Sequence, residues 1–69
     1  MDWDQIQRDW MQFKDGVRTN WIKLTEDDLT RIGGRRQELA RRLQARYGFT
    51  RAEAEREIEA WRKTQRYAA

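Results

Sequence analysis

Between Trp3 and Leu24 the large apolar residues recur in one phase: Trp3, Ile6, Trp10, Phe13, Val17, Trp21 and Leu24. At 100° per residue they share a wedge roughly 80° wide, the mark of an α-helix that buries one stripe. A half-buried strand would need strict alternation, and none occurs along the chain. Asp2, with Gln5 three residues on, suits the start of this helix. Asp15-Gly16 is where it can break, since a glycine inside a helix costs about 1 kcal/mol relative to alanine. The stripe keeps phase across that point, so the reading is one helix with a kink there.

Three shorter helices follow. Thr25 can cap a second helix, Glu26, Asp27 and Asp28 suit the positive end of its dipole, and Leu24 can staple to Leu29. Gly33-Gly34 stops that helix within about two turns. A third begins near Gly34 or Arg35 and runs to Tyr47, with Leu39, Ala40, Leu43 and Tyr47 on its apolar face and Gly48 placed to end it. Thr50-Arg51-Ala52-Glu53 forms a capping box that opens a fourth, striped by Ala54, Ile58 and Trp61 and fraying beyond Lys63. Connections this short make consecutive helices pack on one another. The expected fold is all-α: a small compact bundle of about four helices, the second very short, around one Trp-rich core. A chain of 69 residues has room for one such core, so residues 1–69 form a single domain with a frayed tail from about 64.

Composition then removes whole classes of chemistry. The chain has no His, Cys, Ser or Pro, which excludes disulfides, Cys/His zinc sites and Ser or Cys nucleophiles activated by His. No apolar run approaches the roughly 20 residues of a membrane span, and no signal-peptide core follows Met1. Helix-start capping accounts for the acidic cluster Glu26-Asp27-Asp28, and Glu53, Glu55, Glu57 and Glu59 spread around their helix without forming a carboxylate pair. The polar face of the first helix balances Asp4, Asp9 and Asp15 against Arg8, Lys14 and Arg18, a poor match for anionic lipid. The expectation is a cytoplasmic, monomeric, non-enzymatic protein without cofactor, metal or integral membrane association.

Charge is unevenly spread. Residues 1–30 carry seven acids and four bases, whereas residues 31–51 carry seven Arg and one Glu. On the third helix Arg35, Arg42 and Arg46 fall within about 40° of one another, beside the apolar stripe. Together with Gly33 and Gly34 at the helix start they are the candidate anion or nucleic-acid site, since guanidinium groups and free N–H groups at a helix N-terminus suit phosphate. The plainer reading is preferred: a tight turn that needs glycine, and a solvated basic flank partly neutralised by the acidic first half. Arg36 falls on the buried face close to Leu39 and Leu43, where it either snorkels or pairs with Asp27 or Asp28. Glu59 with Lys63, Glu38 with Arg42 and Asp27 with Arg31 are ordinary i,i+4 pairs. Trp10, Trp21 and Trp61 read as core, and Trp3 as core edge.

Several strings in order resemble the CsbD-like family of small bacterial general-stress proteins. They are WMQFK at 10–14, Val17 with Trp21, KLTEDDL at 23–29, then Ile32, Gly34, Arg36, Leu39, Leu43-Gln44, Arg46-Tyr47-Gly48, Ala54-Glu55, Glu57-Ile58 and Trp61. The likeness spans residues 3–61 and implies an all-α protein made in the bacterial stress response, with no established catalytic activity or cofactor. The partners expected are proteins or, as the alternative, nucleic acid held through the basic face.

Overall fold

The computed structural model describes residues 2–65 and contains five helices: α1 (Trp3–Arg8), α2 (Trp10–Asn20), α3 (Glu26–Ile32), α4 (Arg36–Tyr47) and α5 (Arg51–Thr64). No strand occurs among the described residues, and the fold is the expected small helical bundle. The part of the expected frayed tail at residues 66–69 lies outside the described residues.

The first long helix is broken, but not where the glycine suggested. Asp9 leaves helical geometry (φ −106°, ψ 35°), while Gly16 sits inside α2. The Asp9 N–H closes α1 on Gln5, and its carbonyl accepts from Gln12 in a tighter turn at 2.8 Å. The break lets α1 lie on the α3–α4 turn while α2 runs past α3. Trp3 donates its indole N–H to the Gly34 carbonyl at 2.9 Å, and Trp10 donates to the Leu29 carbonyl at 3.0 Å. Tertiary contacts thus place the kink, outweighing the cost of a mid-helix glycine. The helix also stops at Asn20. Trp21 and Leu24 keep the phase of the stripe and are buried, but on non-helical backbone.

The starts of α3 and α5 and the ends of α3 and α4 follow their capping chemistry. Thr25 and Asp28 exchange side-chain and main-chain hydrogen bonds at the start of α3, and Thr50 and Glu53 do so at the start of α5. Gly33 and Gly48 end α3 and α4 with left-handed backbones. The core gathers Ile6, Val17, Trp21, Leu24, Leu29, Ile32, Leu39, Leu43, Ala54 and Ile58, each no more than 2% exposed. Trp61 joins the two ends of the chain. Its ring centroid lies 6.1 Å from Trp3, 6.4 Å from Phe13 and 5.9 Å from Trp21, in edge-on or tilted arrangements favoured by the ring quadrupoles. All four tryptophans are buried, Trp3 at the core edge as expected.

Candidate functional site

The basic strip forms as its spacing implies, and the structure turns its donors inward against α3. Asp28, at the third position of α3, is fully buried and polar. Arg46 holds it with two hydrogen bonds, Nε to Oδ2 at 2.8 Å and Nη2 to Oδ1 at 3.0 Å, and Arg42 adds Nη1 to Oδ1 at 3.2 Å. The main-chain N–H of Thr25 donates a fourth, at 3.0 Å, to Oδ2. One carboxylate therefore caps its own helix and clamps the neighbouring one. Hydrogen bonding from Arg46, with help from Thr25 and against the cost of burial, lowers the Asp28 carboxyl from 3.8 to about 2. The same contact raises Arg46.

Arg35 folds back over the C-terminal end of α3. It donates to the Arg31 carbonyl at 2.7 Å and to the Ile32 carbonyl at 3.3 Å, a cation at the negative end of a helix dipole. Gly33 and Gly34 form the turn between α3 and α4 with φ values of 53° and 82°. Gly34 is buried. A Cβ there would lie 2.8 Å from Gln7 Cα and 3.0 Å from its carbonyl oxygen, so the missing side chain is what lets α1 approach. The turn's carbonyl is used by Trp3, and its geometry is that of a packed joint between α1, α3 and α4.

Arg36 is paired, but with different partners from those expected. It reaches α5, donating to Glu55 at 3.1 and 3.0 Å and to Glu59 at 2.9 Å, and it lies over the Trp3 ring at 5.9 Å. Asp28 is occupied by Arg42 and Arg46, and Asp27 by Arg31 at 2.8 Å. That competition also redirects two of the anticipated helix-surface pairs. Glu38 faces Arg41 at 3.6 Å, and Glu59 takes Arg62 at 2.8 Å. Bonds from Arg62 first and Arg36 second lower the Glu59 carboxyl to about 2.

The buried clamp was missed at the sequence level. Its available signal was an acid at the third position of a capping box, followed by arginines four residues apart on the next helix. The acidic cluster disperses into separate pairs: Glu26 with Arg18, Asp27 with Arg31, Asp28 with Arg42 and Arg46. Among the described residues no group of three or more acidic, His or Cys side chains is arranged to hold a metal. Nor, among the described residues, is any helix long and apolar enough to cross a membrane.

Comparison with known proteins places this arrangement in context. No family model and no solved structure matches the chain. It is 42% identical over 67 residues, 97% of each chain, to the UPF0337 protein YjbJ of Escherichia coli O6:H1. It is 43% identical over 67 residues, again 97% of each, to the UPF0337 protein ECA0631 of Pectobacterium atrosepticum. The UPF0337 protein RPA4217 of Rhodopseudomonas palustris is 42% identical over 61 residues, 88% of this chain and 92% of its own.

Proposed function

The chain belongs to the UPF0337 family, and on that premise we propose that it is a non-enzymatic protein of the bacterial stress response, working in the cytoplasm as a monomer that protects or binds other proteins through its charged surface. The CsbD-like strings support the stress context. The observation that carries the mode of action is the use of the ionisable groups: Asp28 of α3 and Glu53, Glu55 and Glu59 of α5 are engaged in caps and helix-to-helix ion pairs. Such groups stabilise a charged, compact shell rather than poise a proton or a nucleophile.

A second reading, nucleic-acid binding through Gly33, Gly34, Arg35, Arg42 and Arg46, is favoured by one feature. Two guanidinium groups share the single Asp28 carboxylate and Arg35 rests on carbonyls alone, so the strip keeps excess positive charge.

Two measurements test these readings. Light scattering from a heated thermolabile enzyme should fall when this protein is added in stoichiometric amount; unchanged scattering counts against the protective role. Amide NMR spectra recorded with duplex DNA and single-stranded RNA, at low and moderate salt, address the second. Salt-sensitive shifts at the five named residues would support nucleic-acid binding, and stationary peaks would sink it.

A further inference from the structure

The two flanks of α4 are unequal in what their polar groups are already doing. On the α3 side the arginines already engage Asp28 and main-chain carbonyls. On the α5 side Gln37, Arg41 and Gln44 lie within about 60° of one another on the helix. With Ala40 between them, they face Arg51 and Glu55 of α5 across a groove of about 240 Å³. Glu55, the carboxylate in that lining, accepts two hydrogen bonds from Arg36 on Oε2 alone, and that guanidinium offsets its charge. Among the described residues Arg41 is held only by Glu38, at 3.6 Å, and its side chain is 77% exposed. Arg51, Gln37 and Gln44 have no side-chain partner among the described residues. Two guanidinium groups and two carboxamides with N–H donors to spare thus line one groove.

Donor-rich walls of this kind select a ligand rich in acceptors and negative in charge. A guanidinium fork matches two oxygens of a phosphate, and carboxamides bind phosphate oxygens or the hydroxyls beside them. The volume suits a phosphate with one attached sugar-sized group rather than a larger cofactor. We propose that the groove between α4 and α5 binds a phosphate ester, with Arg41 and Arg51 gripping the phosphate and Gln37 and Gln44 orienting the group it is attached to. The site lies on the opposite flank of α4 from Arg35, Arg42 and Arg46 and does not depend on either reading above. Its phosphate comes either from a small phosphorylated molecule or from the backbone of a nucleic acid.

The test is an NMR titration of the full ¹⁵N-labelled chain at constant ionic strength, with sodium chloride as the blank. Inorganic phosphate, adenosine monophosphate and a short single-stranded oligonucleotide are added in separate arms. Saturable shifts are expected at the side-chain amides of Gln37 and Gln44 and the Nε–H groups of Arg41 and Arg51. Saturation by the mononucleotide assigns the site to small phosphate esters, and saturation by the oligonucleotide alone assigns it to a nucleic-acid backbone. The double variant Arg41→Gln/Arg51→Gln should unfold at an unchanged temperature and bind at least about tenfold more weakly. Arg8→Gln, remote on α1, should bind as the parent does. Shifts no larger than the chloride blank, shifts confined to Arg35, Arg42 and Arg46, or undiminished binding by the double variant would each overturn the proposal.

Discussion

At the scale of single residues, Asp28 concentrates the electrostatics of the fold. Its carboxylate is fully buried, while the side chains of Arg42 and Arg46 remain 29% and 43% exposed. Breaking a buried ion pair ordinarily costs about 3–5 kcal/mol, and the access of water to both arginines reduces this, so Asp28→Asn should cost about 2–3 kcal/mol. Asp27→Asn, which breaks an exposed pair with Arg31, should cost no more than about 0.5 kcal/mol. Urea unfolding of the two variants checks the contrast. The same carboxylate sets an acid limit. Asp28 and Glu59 both lie near 2 in the folded protein, below their ordinary values of 3.8 and 4.5. A depressed folded value contributes stability that is complete above the ordinary value and is lost as pH falls through the folded one. The unfolding temperature should therefore hold steady from neutral pH to about 5 and fall between about 4.5 and 2. In Asp28→Asn that fall should be shallower.

At the scale of elements, the helices answer to their ends and to what crosses them. Two glycines, Gly16 and Gly34, respond oppositely to a side chain here. Gly16 lies inside α2 with open space where a Cβ would go, so Gly16→Ala should stabilise the protein by about 0.5–1 kcal/mol. Gly34 combines a left-handed backbone with the close approach of Gln7, so Gly34→Ala should cost about 2–4 kcal/mol and loosen α1. Thermal unfolding followed by circular dichroism distinguishes the two signs. At the start of α5, Thr50→Ala removes one half of a reciprocal cap and should cost about 1 kcal/mol on the same scale. These differences follow from tertiary position, since intrinsic propensity would rank Gly16 and Gly34 equally.

At the scale of the whole molecule, Trp61 is where the two ends of the chain meet, with Trp3, Phe13 and Trp21 around it. Replacing a buried tryptophan by alanine costs about 3–5 kcal/mol, comparable with the entire stability of a domain this small. Trp61→Ala should therefore lose its near-ultraviolet circular dichroism and its cooperative transition, while Trp61→Phe keeps both at a lower midpoint. The apolar periodicity, the caps at Thr25 and Thr50 and the glycine stops depend on local geometry, and they determined by themselves that the chain is all-α, where α3 and α5 begin and where α3 and α4 end. Composition likewise settled that disulfides and His-dependent chemistry are out of reach. Tertiary packing alone decided the rest. It moved the break in the first helix to Asp9, because Trp3 reaches a main-chain carbonyl in the α3–α4 turn and Trp10 one within α3. It gave Arg36 to α5 and Asp28 to α4, because the choice among several equally spaced charges depends on which helices become neighbours. It also left Arg41 and Arg51 facing an open groove, although along the sequence they are as basic as the arginines that the fold consumes.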